Sequence, residues 1–131
     1  MSQENVELVR RAYDAFNRRD LEGFLALMGD DVETGSRLVA MEGRFHGHDG
    51  VRRWWSTLLD NFPDLTIDVA DVRDLGDVVL GEHLVRGRGA GSQTPVEDQQ
   101  WQVVRFRAGR ISSWQTFLSE AEALEAAGPR E

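Results

Sequence analysis

Pro63 separates two kinds of hydrophobic pattern, and this change of period constrains the fold more than any other feature. Before it, apolar residues return every three or four positions. Val6, Val9, Tyr13 and Phe16 do so, with Ala12 beside them, and predict a helix over Gln3 to Arg19. Ser2 is the expected N-cap, and Glu4 suits the positive end of the dipole. Asp20 caps a second, short helix through Met28, with Leu21, Phe24, Leu25 and Met28 as its stripe and Gly29-Asp30-Asp31 as its end. A third helix over Gly50 to Asn61 carries Val51, Trp54, Trp55, Leu58 and Leu59, with Asp49 as its cap and Pro63 as its stop. A weak strand, Val32 to Ala40, and a loop rich in glycine and histidine, Gly43 to Gly50, lie between the second and third helices.

After Pro63 the period falls to two. Leu65 to Asp74 alternates through Ile67, Val69 and either Ala70 or Val72. Leu75-Gly76-Asp77 turns into a long strand, Val78 to Arg88. A loose connection, Gly89 to Pro95, leads to a strand over Asp98 to Arg107, and Ala108-Gly109 turns that into the last strand, Ile111 to Leu118. Ser119 and Glu122 form a capping box for a short C-terminal helix closed by Gly128-Pro129. Helices followed by a meander predict an α+β fold with an antiparallel sheet. No repeat, linker or low-complexity tract divides the chain, so residues 1–131 are expected to form one domain.

Composition excludes several function classes. The chain has 131 residues, 40% apolar and 29% charged, which suits one globular core rather than disorder. It has no cysteine, hence no disulfide, thiolate metal site or cysteine nucleophile. Twenty-three acidic against 15 basic residues give a net charge of −8, which repels phosphate backbones, so no nucleic-acid partner is expected. Arg86, Arg88, Arg105, Arg107 and Arg110 read as solvated residues on outer strand faces. No run approaches the ~18 apolar residues of a membrane span, and no basic start leads into an apolar stretch. The expected location is cytoplasmic, with no membrane partner.

Three segments carry a resemblance. "YDAFNRRDLEGFLALMGDDVE" resembles the opening two helices of SnoaL-like and ketosteroid-isomerase-like proteins of the nuclear-transport-factor-2-like superfamily. "GRFHGHDGVRRWW" is similar to that superfamily's strand-loop-helix link, and "WQVVRFRAGRISSWQTFLSEAEAL" to its final hairpin and terminal helix. Together they cover the chain from about Asn5 to Gly128. The resemblance implies a cone: a curved mixed β-sheet wrapped by three helices from the N-terminal half, with a short C-terminal helix and an apolar interior. It also implies a small hydrophobic molecule as partner and a homodimer formed through the outer sheet face. Such a fold hosts isomerases, cyclases, hydratases and non-catalytic proteins, so function rests on the polar residues inside.

Steroid isomerisation needs a carboxylate base and two donors that hold an enolate oxygen, a tyrosine and a protonated aspartic acid. Aligned on "FNRRDLEGF", the resemblance puts the tyrosine's place at Ala12 and the base's at Ser36; aligned on "VVRFRAG", it puts the aspartate's at Gln102. None is kept in kind, although Gln102 can donate through its amide. Tyr13, one residue on, is rotated by about 100° on a helix.

His83 is the strongest candidate for acid–base chemistry. Strand alternation places Gly81, His83 and Val85 on one face and Glu82, Leu84 and Arg86 on the other. The uncharged face is the one an apolar cone accepts, and its histidine titrates near neutral pH. The catalytic candidates are therefore His83 and Gln102, and the expected pocket is Tyr13, Phe16, Ser36, Trp55, Val85, Val104, Trp114 and Thr116. Gln100 shares a strand face with Gln102. Trp101, of opposite parity, is expected on the outer face with Val103 and Arg105, the surface for a second copy. His46, His48 and Asp49 match no established zinc spacing, and no metal or cofactor is expected. Gly87, Gly89 and Gly91 open no helix, which excludes a dinucleotide loop. Two function classes follow: a cofactor-independent isomerase, cyclase or hydratase acting on a hydrophobic ring compound, or a non-catalytic ligand-binding or structural dimeric protein.

Overall fold

The structure, a computed structural model, describes residues 2–34, 45–91 and 93–128. The helical stripes form α1 (Ser2–Asn17), α2 (Leu21–Ala26) and α3 (Gly47–Asn61). The strands are β1 (Met28–Thr34), β2 (Phe45–His46), β3 (Thr66–Asp74), β4 (Val78–Arg88), β5 (Pro95–Arg107) and β6 (Arg110–Phe117), and α4 (Glu120–Ala127) ends the chain. The strands join in one curved six-stranded sheet of order β2-β1-β6-β5-β4-β3. All neighbours are antiparallel except β1 and β6, so the sheet is mixed and the fold is the expected α+β cone.

Local chemistry explains most boundaries. Asp20 accepts a hydrogen bond from the Gly23 amide at 3.0 Å, and Ser119 accepts one from the Glu122 amide at 3.1 Å, each satisfying a free donor of a first helical turn. The Ser2 side chain lies outside the described residues. α3 begins three residues before the expected start, with His46 at the N-cap position and Asp49 inside the first turn, where its charge still suits the dipole. β1 begins at Met28, so Gly29-Asp30-Asp31 continues the chain as strand instead of closing a helix. Those residues have weak strand preference, but their ladder is supplied by β6, with Met28 opposite Ile111. Residues 35–40 of the expected first strand, and Ser36 with them, lie outside the described residues.

Two irregularities set which side chains point inward. In β3 the register shifts between Val69, opposite His83, and Asp71, opposite Glu82. Ala70 is the extra residue of this bulge, and Val72 takes the next inward place opposite Gly81. In β6 a shift at Ser112 lets Ile111 and Trp114 share the inner face.

The inner face of the sheet and the buried stripes of α1, α2 and α3 enclose the main core. A smaller core lies outside the sheet, where α4 covers Val78, Leu80 and Val103 with Ala123. This changes the outer face anticipated from the sequence. Val103 is covered by the chain's own helix, and the Arg105 guanidinium donates to the Ala126 carbonyl at 2.8 Å, leaving Trp101 half-buried at the border. Asn17 braces the edge strand: its amide donates to the Ile67 carbonyl and accepts from the Ile67 amide, both at 2.8 Å. Among the described residues, no helix is long and apolar enough to cross a membrane.

Candidate functional site

Alternation and register gather the inward polar side chains into one patch. β4 turns Val79, Gly81, His83 and Val85 inward, and β5 turns Gln100, Gln102 and Val104. Across the β4–β5 ladder His83 is opposite Gln100, and Gly81 is opposite Gln102. Across β5–β6 Gln102 is opposite Thr116, and Val104 is opposite Trp114. Cross-strand partners on one face stand side by side, so four polar residues from three strands meet. The facing wall is apolar and aromatic, built from Tyr13, Phe16, Phe24, Trp54 and Leu58, with Leu65 and Ile67 at the β3 end.

These walls enclose a cavity of about 20 Å³, room for a water molecule and no ring compound. The aromatic residues fill the cone themselves. Tyr13 meets Trp114 edge-on at 5.5 Å between centroids, Trp114 meets Phe24 at 5.9 Å, and Phe24 stacks on Trp54 at 5.9 Å. A larger groove of about 570 Å³, open to solvent, lies where Gln3, Leu8 and Arg11 approach Phe106 and Arg107, but it touches none of the polar wall.

His83 is 1% exposed. Its Nε2 lies 3.1 Å from Gln100 Oε1, and its Nδ1 lies 3.5 Å from the Tyr13 hydroxyl. Burial pushes its pKa down to about 4, against which the Gln100 hydrogen bond acts upward. Burial raises the pKa of the Tyr13 phenol, so both groups are neutral at pH 7. Among the described residues no carboxylate borders the cavity, and its titratable side chains there are His83 and Tyr13.

Gly81 makes this arrangement possible. A Cβ at position 81 would lie 2.2 Å from the Tyr13 oxygen. The phenol thus occupies space that any other residue would fill with its own side chain. Beside it, the Gln102 amide nitrogen donates to Thr116 Oγ1 at 3.2 Å. Gln100 Nε2, Gln102 Oε1, Trp54 Nε1 and Trp114 Nε1 are buried and have no hydrogen-bond partner among the described residues.

Of the residues singled out from the sequence, His83, Gln102, Tyr13, Phe16, Val85, Trp114 and Thr116 border the cavity together. Trp55 and Val104 are buried but do not border it, and Ser36 is outside the described residues. Sequence reasoning left out Gln100, although its two-residue spacing from Gln102 carried the signal. It also preferred Trp55 to Trp54; both sit on the buried side of α3, and the roll of that helix decides between them. His48 Nε2 lies 3.1 Å from the Met28 carbonyl, whereas exposed His46 is paired with Glu33 at 3.7 Å, so the two imidazoles are engaged separately. Among the described residues, no three histidine or carboxylate side chains are grouped as a metal would need.

A family model described as the SnoaL-like domain matches residues 9–114. No curated protein matches the chain. Several solved structures share its fold. An NTF2-like protein of unknown function from Burkholderia pseudomallei superposes with a TM-score of 0.79 at 23% identity, covering 96% of this chain and 98% of the other. TerC, co-crystallised with polyporic acid, gives 0.77 at 19% identity over 96% and 99%. RV0760c from Mycobacterium tuberculosis, in complex with estradiol-17beta-hemisuccinate, gives 0.75 at 18% identity over 90% and 95%.

Two outcomes follow from this geometry. Gly81→Ala should destabilise the protein by about 2 kcal/mol in denaturant titration, because the buried phenol must shift. Tyr13→Phe in that background should restore part of the loss; if Gly81→Ala melts like the wild type, the close contact is not rigid. The second concerns pH. Above about 6.5 the histidine is neutral in both folded and unfolded chains and adds no pH dependence. Between about 6.5 and 4 the unfolded chain takes up the proton and the folded chain does not, so stability falls as pH falls. The full loss is about 3 kcal/mol, and His83→Gln should flatten that part of the stability–pH profile.

Proposed function

The chain belongs to the SnoaL-like domain family, and we propose that it binds a small hydrophobic ring compound inside its cone, with His83 giving or taking a proton. The observation that carries this reading is the set of four buried polar atoms, on Gln100, Gln102, Trp54 and Trp114, that lack a partner among the described residues and belong to side chains lining a largely apolar cavity. An unpartnered buried donor or acceptor costs about 1–3 kcal/mol, and a ligand with a polar ring substituent would satisfy several at once. A mostly apolar enclosure with few polar anchors is the usual make-up of a small-molecule site. The complexes of TerC with polyporic acid and of RV0760c with estradiol-17beta-hemisuccinate support the same ligand class.

Small-molecule pockets measure roughly 300–1,000 Å³. A cavity of about 20 Å³ is far below that, so binding requires the aromatic side chains to part. In the catalytic form of the proposal, Gln102 and Thr116 orient a carbonyl while His83 moves a proton, giving isomerisation, cyclisation or hydration without a cofactor. The small cavity favours a second reading in which the rings are a permanent core and the protein is a structural or non-catalytic dimer.

Steroid-like, polyketide-like and terpene-like probes separate the two. At least one class should quench tryptophan fluorescence and raise the melting temperature of the wild type, with the response lost in Trp114→Ala. If all three classes leave fluorescence and melting unchanged, the cone is a filled core and the ligand reading falls.

We also propose that two copies pair through the part of the outer face that α4 leaves open. Trp101 is half-buried there, opposite Phe117 on the ladder, with a buried indole nitrogen lacking a partner among the described residues. Light scattering at micromolar concentration should give twice the 14.8 kDa chain mass, and Trp101→Glu should halve it. A wild-type mass equal to one chain rejects the dimer.

A further inference from the structure

The neighbours of the two His83 nitrogens differ in kind. Nε2 faces the carbonyl oxygen of an amide, and Nδ1 faces a phenol hydroxyl. A carbonyl oxygen only accepts, whereas a hydroxyl rotates to donate or accept. A neutral imidazole has one N–H and one lone pair, so the carbonyl decides which nitrogen carries hydrogen and the hydroxyl follows. Gln100 is held to this task by the ladder, since it lies directly opposite His83 and is buried with it. Gly81, the next inward position on the same strand, leaves the Tyr13 oxygen its seat beside the imidazole.

We propose that Gln100 is a positioning residue: by accepting the Nε2 hydrogen of His83 it aims the Nδ1 lone pair at the Tyr13 hydroxyl, so that a proton exchanged with a ligand passes through the phenol oxygen. This rests on the reading of His83 as the proton-handling group of the cone. In the forward step a ligand X–H bond breaks and its proton joins the Tyr13 oxygen, while the phenol O–H bond breaks and that hydrogen joins Nδ1. Tyr13 ends as it began. The imidazolium and the ligand anion then share a low-dielectric enclosure and balance each other's charge. The Nε2–H bond to Gln100 persists and favours the charged ring. The reverse step returns the proton to the ligand.

The test reads the tautomer in the whole, unliganded protein. In ¹⁵N-histidine-labelled protein near pH 7, long-range ¹H–¹⁵N correlation distinguishes a protonated ring nitrogen from one bearing a lone pair, and the His83 signals are those lost in His83→Gln. The expected result is a single neutral form with hydrogen on Nε2. Gln100→Leu should abolish that single-tautomer signature, Gln100→Glu should keep it because a carboxylate also accepts, and Tyr13→Phe should leave it unchanged. Hydrogen on Nδ1 in the wild type overturns the proposal, as would a tautomer unmoved by Gln100→Leu but switched by Tyr13→Phe. If Gln100→Leu does not fold, the wild type and Gln100→Glu still decide. Ring probes that fail to bind a protein with the Nε2–H tautomer defeat the ligand reading and leave the positioning role intact; probes that bind a protein with the Nδ1–H tautomer do the reverse.

Discussion

The close approach of the Tyr13 phenol to the bare backbone of Gly81 sets the spacing between α1 and the sheet. With the hydroxyl seated where a side chain would stand, the Tyr13 ring reaches Trp114, and through it Phe24 and Trp54 from the other two helices. Protein interiors are packed nearly as densely as crystals, so a ring fixed at one end of such a series fixes the next. The same approach brings a phenol to a buried imidazole. One absent side chain thus shapes both the filling of the cone and its polar wall.

Charge is distributed in the opposite sense. The ion pairs Arg18–Asp14, Arg52–Glu22 and Arg73–Glu120 lie at the surface, where such contacts contribute little. Inside, the titratable groups at the cavity among the described residues are a phenol and an imidazole, and burial holds both neutral. The interior therefore resists the formation of a lone charge, and any proton that moves there must leave a compensating charge nearby.

Much of this was legible in the sequence because period and parity are local. The alternation of β4 placed His83 inward and Glu82 outward without knowledge of any partner strand, and the helical stripes marked Tyr13, Phe16 and Phe24 as buried. What could not be read depends on contacts between distant segments. The bulges at Ala70 and Ser112 reset parity partway along β3 and β6. The roll of α3 chose Trp54 over Trp55 for the cavity wall. The ladder set Gln100 beside His83, a relation that spacing along one strand does not express. The cover on the outer face depends on distant contacts too: the terminal helix folds back, and its alanines cover Val103 and Leu80.

The pairing of β1 with β6 has a consequence for how the chain acquires its shape. This parallel contact joins residues near the beginning of the chain to residues near its end, Met28 with Ile111 and Thr34 with Trp114. Such a contact closes a very long loop, which slows folding relative to local pairings. During synthesis β1 emerges, and β2 after it, well before β6 exists, and the apolar faces of the first three helices have no completed sheet to rest on. The nascent chain must wait, with hydrophobic surface uncovered, until β6 leaves the ribosome. Among the described strands, the last to be made is the one that ties the first to the rest of the sheet.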